Sequence, residues 1–133
     1  MATFEKNNIP VEADCEKVFS FLGDFRNFGE LLPDKVQNSR AYENSCSFTI
    51  EGLADMSMRI DGKSPCRSIH IVPDGKAPVD FSLDYFFHEK GDQRCDVSII
   101  FRVVLNPFMK TVASGPLQKL VDKLARKLQD HFL

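Results

Sequence analysis

At 133 residues and a formal net charge of −2, the chain is the size of one domain and has no excess basic charge to hold nucleic acid. Its apolar content is 43%, with 12 phenylalanines and no tryptophan. That suits a bulky core, yet no run approaches the ~18 apolar residues of a membrane span. The opening MATFEKNNIPV has neither a basic start nor an apolar stretch, so no secretory signal is expected and the chain reads as cytoplasmic.

In chain order, Thr3 to Ile9 predicts a weak first strand that Pro10 limits. Asp14 is placed as the N-cap of a helix over Cys15 to Leu22, with Glu16 in its first turn and Val18, Phe19 and Leu22 as its buried stripe. Gly23 suits the left-handed conformation that ends a helix. Asp24 opens a second short helix through Leu32, which Pro33 stops.

Strands then follow one another. Lys35 to Tyr42 turns at Glu43-Asn44 into Ser45 to Glu51, where Cys46, Phe48 and Ile50 share a face. Ala54 to Asp61 sets Met56, Met58 and Ile60 against Asp55, Ser57 and Arg59. Arg67 to Val72 is short. Val79 to Glu89 aligns Val79, Phe81, Leu83, Tyr85 and Phe87, and Lys90-Gly91-Asp92 is a hairpin turn. Gln93 to Leu105 aligns Cys95, Val97, Ile99, Phe101 and Val103. Connections this short predict an antiparallel meander.

Pro107 to Ala113 predicts a helical lead-in, interrupted at Ser114-Gly115-Pro116. From Pro116 to Phe132, apolar residues recur every three or four positions, which predicts an amphipathic helix about 25 Å long. A greasy terminal helix after a long run of alternating strands implies a helix gripped by a curved sheet, with a ligand cavity between them.

The four cysteines, Cys15, Cys46, Cys66 and Cys95, show no CxxC spacing and read as reduced thiols. His70, between Ile69 and Ile71, and His88 fall on the outward register, and His131 ends the last helix. Neither HExxH nor a phosphate-loop motif occurs, so no metal or cofactor is expected. No catalytic residue is assigned.

Several stretches resemble the START-like helix-grip superfamily of polyketide cyclases/dehydrases, lipid-transfer domains and pollen allergens. They are Ile9-Pro10-Val11-Glu12-Ala13-Asp14 with Val18-Phe19-Ser20-Phe21-Leu22, Asp24-Phe25-Arg26-Asn27-Phe28 with Leu31-Leu32-Pro33, Asn106-Pro107, and Gly115-Pro116-Leu117. The resemblance covers essentially residues 1–133 as a single START-like domain. It implies an α+β fold: a seven-stranded curved antiparallel sheet around a long C-terminal helix, with two short helices after the first strand. It also implies an apolar pocket. The lining would be Phe48, Ile50, Met56, Met58, Phe81, Leu83, Tyr85, Ile99, Phe101, Leu117, Leu120, Val121 and Leu124. Tyr85 would be the inner hydroxyl, and Arg40, on the register of Val36, a possible headgroup contact at the mouth.

The expectation is a carrier of a small hydrophobic ligand. The alternatives are a cyclase- or dehydratase-type enzyme acting through Tyr85, and an interaction module such as a quinone or protein chaperone. A solid core in place of the pocket is the competing packing outcome.

Overall fold

The computed structural model describes residues 2–30, 36–50, 54–75 and 80–133, with backbone alone at 29–30, 36–39, 50 and 54. Seven strands make one antiparallel sheet in the order β1-β7-β6-β5-β4-β3-β2. They are β1 (Ala2–Val11), β2 (Val36–Ala41), β3 (Ser45–Ile50), β4 (Ala54–Ser64), β5 (Ser68–Pro73), β6 (Phe81–Glu89) and β7 (Cys95–Val103). Strands β2 to β7 form the meander, and β1 closes beside β7. Helix α1 (Cys15–Leu22) and a 3-10 helix (Phe25–Glu30) follow β1, and α2 (Pro107–His131) ends the chain.

β1 runs through Pro10 because it is an edge strand, where a missing N–H breaks no second ladder. A bulge between Lys6 and Ile9 puts Asn8 at φ 54°, and its N–H donates to Ser98 Oγ at 3.1 Å.

The period-two alternation places the core as expected. Ile69, Ile71, Val97 and Ile99 are buried on the inner face, and Leu117, Val121, Leu124 and Leu128 of α2 are buried against it. The outer face carries the polar set. His70 Nδ1 lies 2.5 Å from Asp84 Oδ1, and Arg102 Nη1 donates to Asp84 Oδ2 at 3.5 Å, tying β5, β6 and β7 together.

Three local expectations change. Helix α2 is continuous through Ser114-Gly115-Pro116. Asn106 caps it, accepting from Met109 N–H at 2.7 Å, and the helix absorbs the donor that Pro116 lacks. Gly23 ends α1 at φ −78°, not in the left-handed region. Asp14 sits at the N-cap, where its carbonyl accepts from Val18 N–H at 3.1 Å, but its side chain does not bond its own helix; Oδ1 accepts from Gln93 N–H at 3.0 Å, across to the β6–β7 turn.

The same junction holds a disulfide between Cys15 and Cys95, whose Cα atoms are 5.1 Å apart. This corrects the reading of all four cysteines as thiols. A separation of 80 residues hides a contact made only when α1 docks on the start of β7. Cys46 and Cys66 are free. The expected end of the second helix at Leu32, and the strand ends at Glu51 and Val79, lie outside the described residues.

Candidate functional site

Between the inner face of the sheet and α2 lies a cavity of about 30 Å³. Phe48 (β3), Met56 and Met58 (β4), Phe81 and Leu83 (β6), Phe101 (β7), and Leu120, Val121 and Leu124 (α2) line it, joined by Phe28 of the 3-10 helix. The strands supply alternate residues because every second side chain faces inward. The helix supplies residues three and four apart because they share a face. Every lining side chain among the described residues is apolar.

Phe28 was missed in the sequence. Its only signal is the motif Asp24-Phe25-Arg26-Asn27-Phe28. Asp24 caps the turn, accepting from Arg26 N–H at 2.9 Å, and also holds the Arg26 guanidinium, whose Nη2 lies 2.6 Å from Oδ2. That hydrogen-bonded guanidinium keeps the Asp24 carboxyl below its usual range. The turn so fixed buries Phe25 and Phe28 edge to face, 5.6 Å between ring centres, and brings Phe28 within 6.1 Å of Phe48.

Three expected lining residues, Tyr85, Ile99 and Leu117, are not among the described residues that border this hollow. Tyr85 and Ile99 face each other across β6 and β7, one inward step beyond Leu83 and Phe101, and both are buried. Leu117 is likewise packed away. The side chain of Ile50 lies outside the described residues. The Tyr85 hydroxyl has no hydrogen-bond partner among the described residues. Burial raises its pKa above the phenol range, with the nearby Cys46 adding to the shift, so it remains a neutral donor.

Arg40 does not reach the cavity. The expected register with Val36 breaks at a bulge between Gln37 and Arg40, which pairs Arg40 with Ser47 and turns it to the outer face. There it borders a shallow groove with Ser47, Thr49, Asp55 and Ser57. The histidines are outside too. His70 is held by Asp84, His88 is exposed, and His131 stacks on Phe21 at 4.1 Å between ring centres.

A volume of about 30 Å³ holds one or two water molecules. Among the described residues, the hollow bordered by this wall is therefore small. Met56 and Met58 border it, and their unbranched side chains can move aside at low cost.

The same fold occurs in solved structures. A START superfamily protein from Mycobacterium smegmatis superposes with a TM-score of 0.72 at 14% identity, over 98% of this chain and 96% of that one. The chain has the START-like helix-grip fold. Truncated norcoclaurine synthase from Thalictrum flavum superposes at 0.66 and 11% identity, over 94% and 92% of the two chains. The di-domain aromatase/cyclase BexL of the BE-7585A biosynthetic pathway gives 0.66 at 15% identity, over 96% of this chain and 46% of BexL. No family model matches the sequence, and no curated protein matches it.

Proposed function

We propose that residues 1–133 act as one START-like domain that binds a small apolar ligand between the sheet and α2. The observation that carries this reading is the cavity itself. The described residues of its wall are all apolar, and it lies in the helix-grip position between sheet and helix. Ligand entry requires the wall to yield, chiefly at Met56 and Met58. Burial then stabilises the complex by about 25 cal/mol per Å² of apolar surface, before ordering costs.

The enzyme alternative draws support from the names of the norcoclaurine synthase and BexL neighbours alone. Among the described residues no ionisable side chain lines the cavity, and Tyr85, the acid or donor this alternative relies on, is not one of those that border it.

Fluorescence titration with the neutral probe N-phenyl-1-naphthylamine tests the proposal. Saturable binding at one probe per chain is expected, and Leu83→Trp, which fills the cavity, should abolish it while the circular dichroism spectrum is unchanged. No binding to the native chain would leave the cavity a packing remainder and sink the carrier reading. Where the probe binds, native mass spectrometry of protein from its own cells identifies the natural ligand.

A further inference from the structure

The face of α2 turned away from the core combines apolar and basic residues along one line. Phe108 and Val112 are 73% and 53% exposed. Lys119, Lys123 and Arg126 are exposed as well. Stepping along the helix by 4, 7, 4 and 3 residues, these five side chains project within ~60° of one another, at ~100° per residue. Leu117, Val121, Leu124 and Leu128 lie on the opposite side, buried. The exposed line is therefore the outer face of the helix.

Charge is segregated in the same way. Five cations and two aspartates give α2 a formal charge of +3, which leaves −5 on the rest of the chain. Asp122 lies beside the stripe and accepts from Gln118 Nε2 at 3.1 Å. Asp130 lies toward its far end.

We propose that this face docks on a bilayer surface containing anionic lipid. The helix would lie flat, with Phe108 and Val112 set among the headgroups. Lys119, Lys123 and Arg126 would lie over lipid phosphates up to ~27 Å further along. Charge complementarity selects this occupant over a second copy of the chain. Two such faces would bring three cations against three, whereas an anionic surface favours each cation near it by about fivefold in affinity. The acidic remainder of the molecule would be held away from the membrane. This goes beyond the ligand reading and does not depend on it.

Co-sedimentation of the full chain with vesicles tests it. Vesicles of phosphatidylcholine with about 30% phosphatidylglycerol should pellet the protein, and phosphatidylcholine alone should not. About 0.5 M salt, where the screening length is only a few ångströms, should lower binding at least tenfold. The charge reversal Lys119→Glu/Lys123→Glu/Arg126→Glu should abolish binding. The milder Lys119→Gln/Lys123→Gln/Arg126→Gln should lower it at least tenfold, with circular dichroism confirming the fold of each. Phe108→Ser/Val112→Ser should also lower it about tenfold.

Failure to pellet with anionic vesicles, or pelleting unchanged by the glutamine variant, overturns the proposal. So does equal binding to phosphatidylcholine alone. A solution dimer that Phe108→Ser/Val112→Ser dissolves, without vesicle binding, overturns it in favour of a second copy. Naphthylamine binding is measured without vesicles, so the two readings fail separately.

Discussion

Tyr85 and Cys46 are both buried on the inner side of the sheet, and neither can ionise there without losing its hydration. Burial pushes the Cys46 thiol up to about 12 from its ordinary 9.0. The Tyr85 phenol is raised by burial first and by Cys46 second. In the unfolded chain both groups release their protons near ordinary values. Above pH 9 the unfolded state therefore binds fewer protons than the folded state, and stability falls. The stabilisation is fully present below pH 9 and is lost as the pH rises toward about 12. Urea unfolding should lose about 1 kcal/mol per pH unit in this window, and Cys46→Ala should flatten the slope between pH 9 and 10. A stability unchanged from pH 8 to 10.5 would show that Cys46 is hydrated. At this scale the sequence was informative where alternation is strict. His70 faces outward because Ile69 and Ile71 face in. It misled at Arg40, because one bulge reverses a strand's faces and leaves no mark in composition.

The elements were legible in kind and order, and less so at their junctions. Meander strands announce themselves through alternation and turn residues, both local signals. The docking of α1 on β7 is not local. Its residue type favours Asp14 as a helix cap, yet its carboxylate serves the β6–β7 turn, and Cys15 beside it bonds Cys95. Pro116 was read as a break, yet burial of Ala113 and Leu117 on either side outweighs its missing donor and keeps α2 in one piece. The disulfide closes a loop of 80 residues, so it should stabilise mainly by restricting the unfolded chain. Cys15→Ser/Cys95→Ser is expected to lose about 2–4 kcal/mol in urea unfolding, and the native chain with reductant should lose a similar amount. An unfolding curve indifferent to reductant would mean that the bond does not form in solution.

For the molecule as a whole, periodicity identifies which side chains face the concave side, but cavity volume is a property of how they fill it. Phe48, Phe81, Leu83 and Phe101 face the hollow as the alternation requires. Phe28 enters from a segment whose pattern gives no inward register, and it helps narrow the space to about 30 Å³. Met58, 2% exposed, sits in that wall. Met58→Ala removes its bulk without altering the backbone, so it should cost about 2–5 kcal/mol of stability and enlarge the cavity. A small neutral apolar molecule such as benzene then finds space already open and no longer has to displace a side chain. At a hundredfold excess over its Kd it should return about 2.7 kcal/mol. Thermal unfolding reads both effects: a lowered Tm in the variant, partly restored by benzene, with a smaller shift in the native chain, where the ligand must first move Met58. If benzene shifts neither Tm, the interior closes over the deletion and the helix-grip core has no latent ligand space. If it shifts only the variant, the space is latent and the native wall keeps this ligand out. A shift in the native chain itself would show that thermal motion of the two methionines opens the cavity, the step on which ligand binding depends.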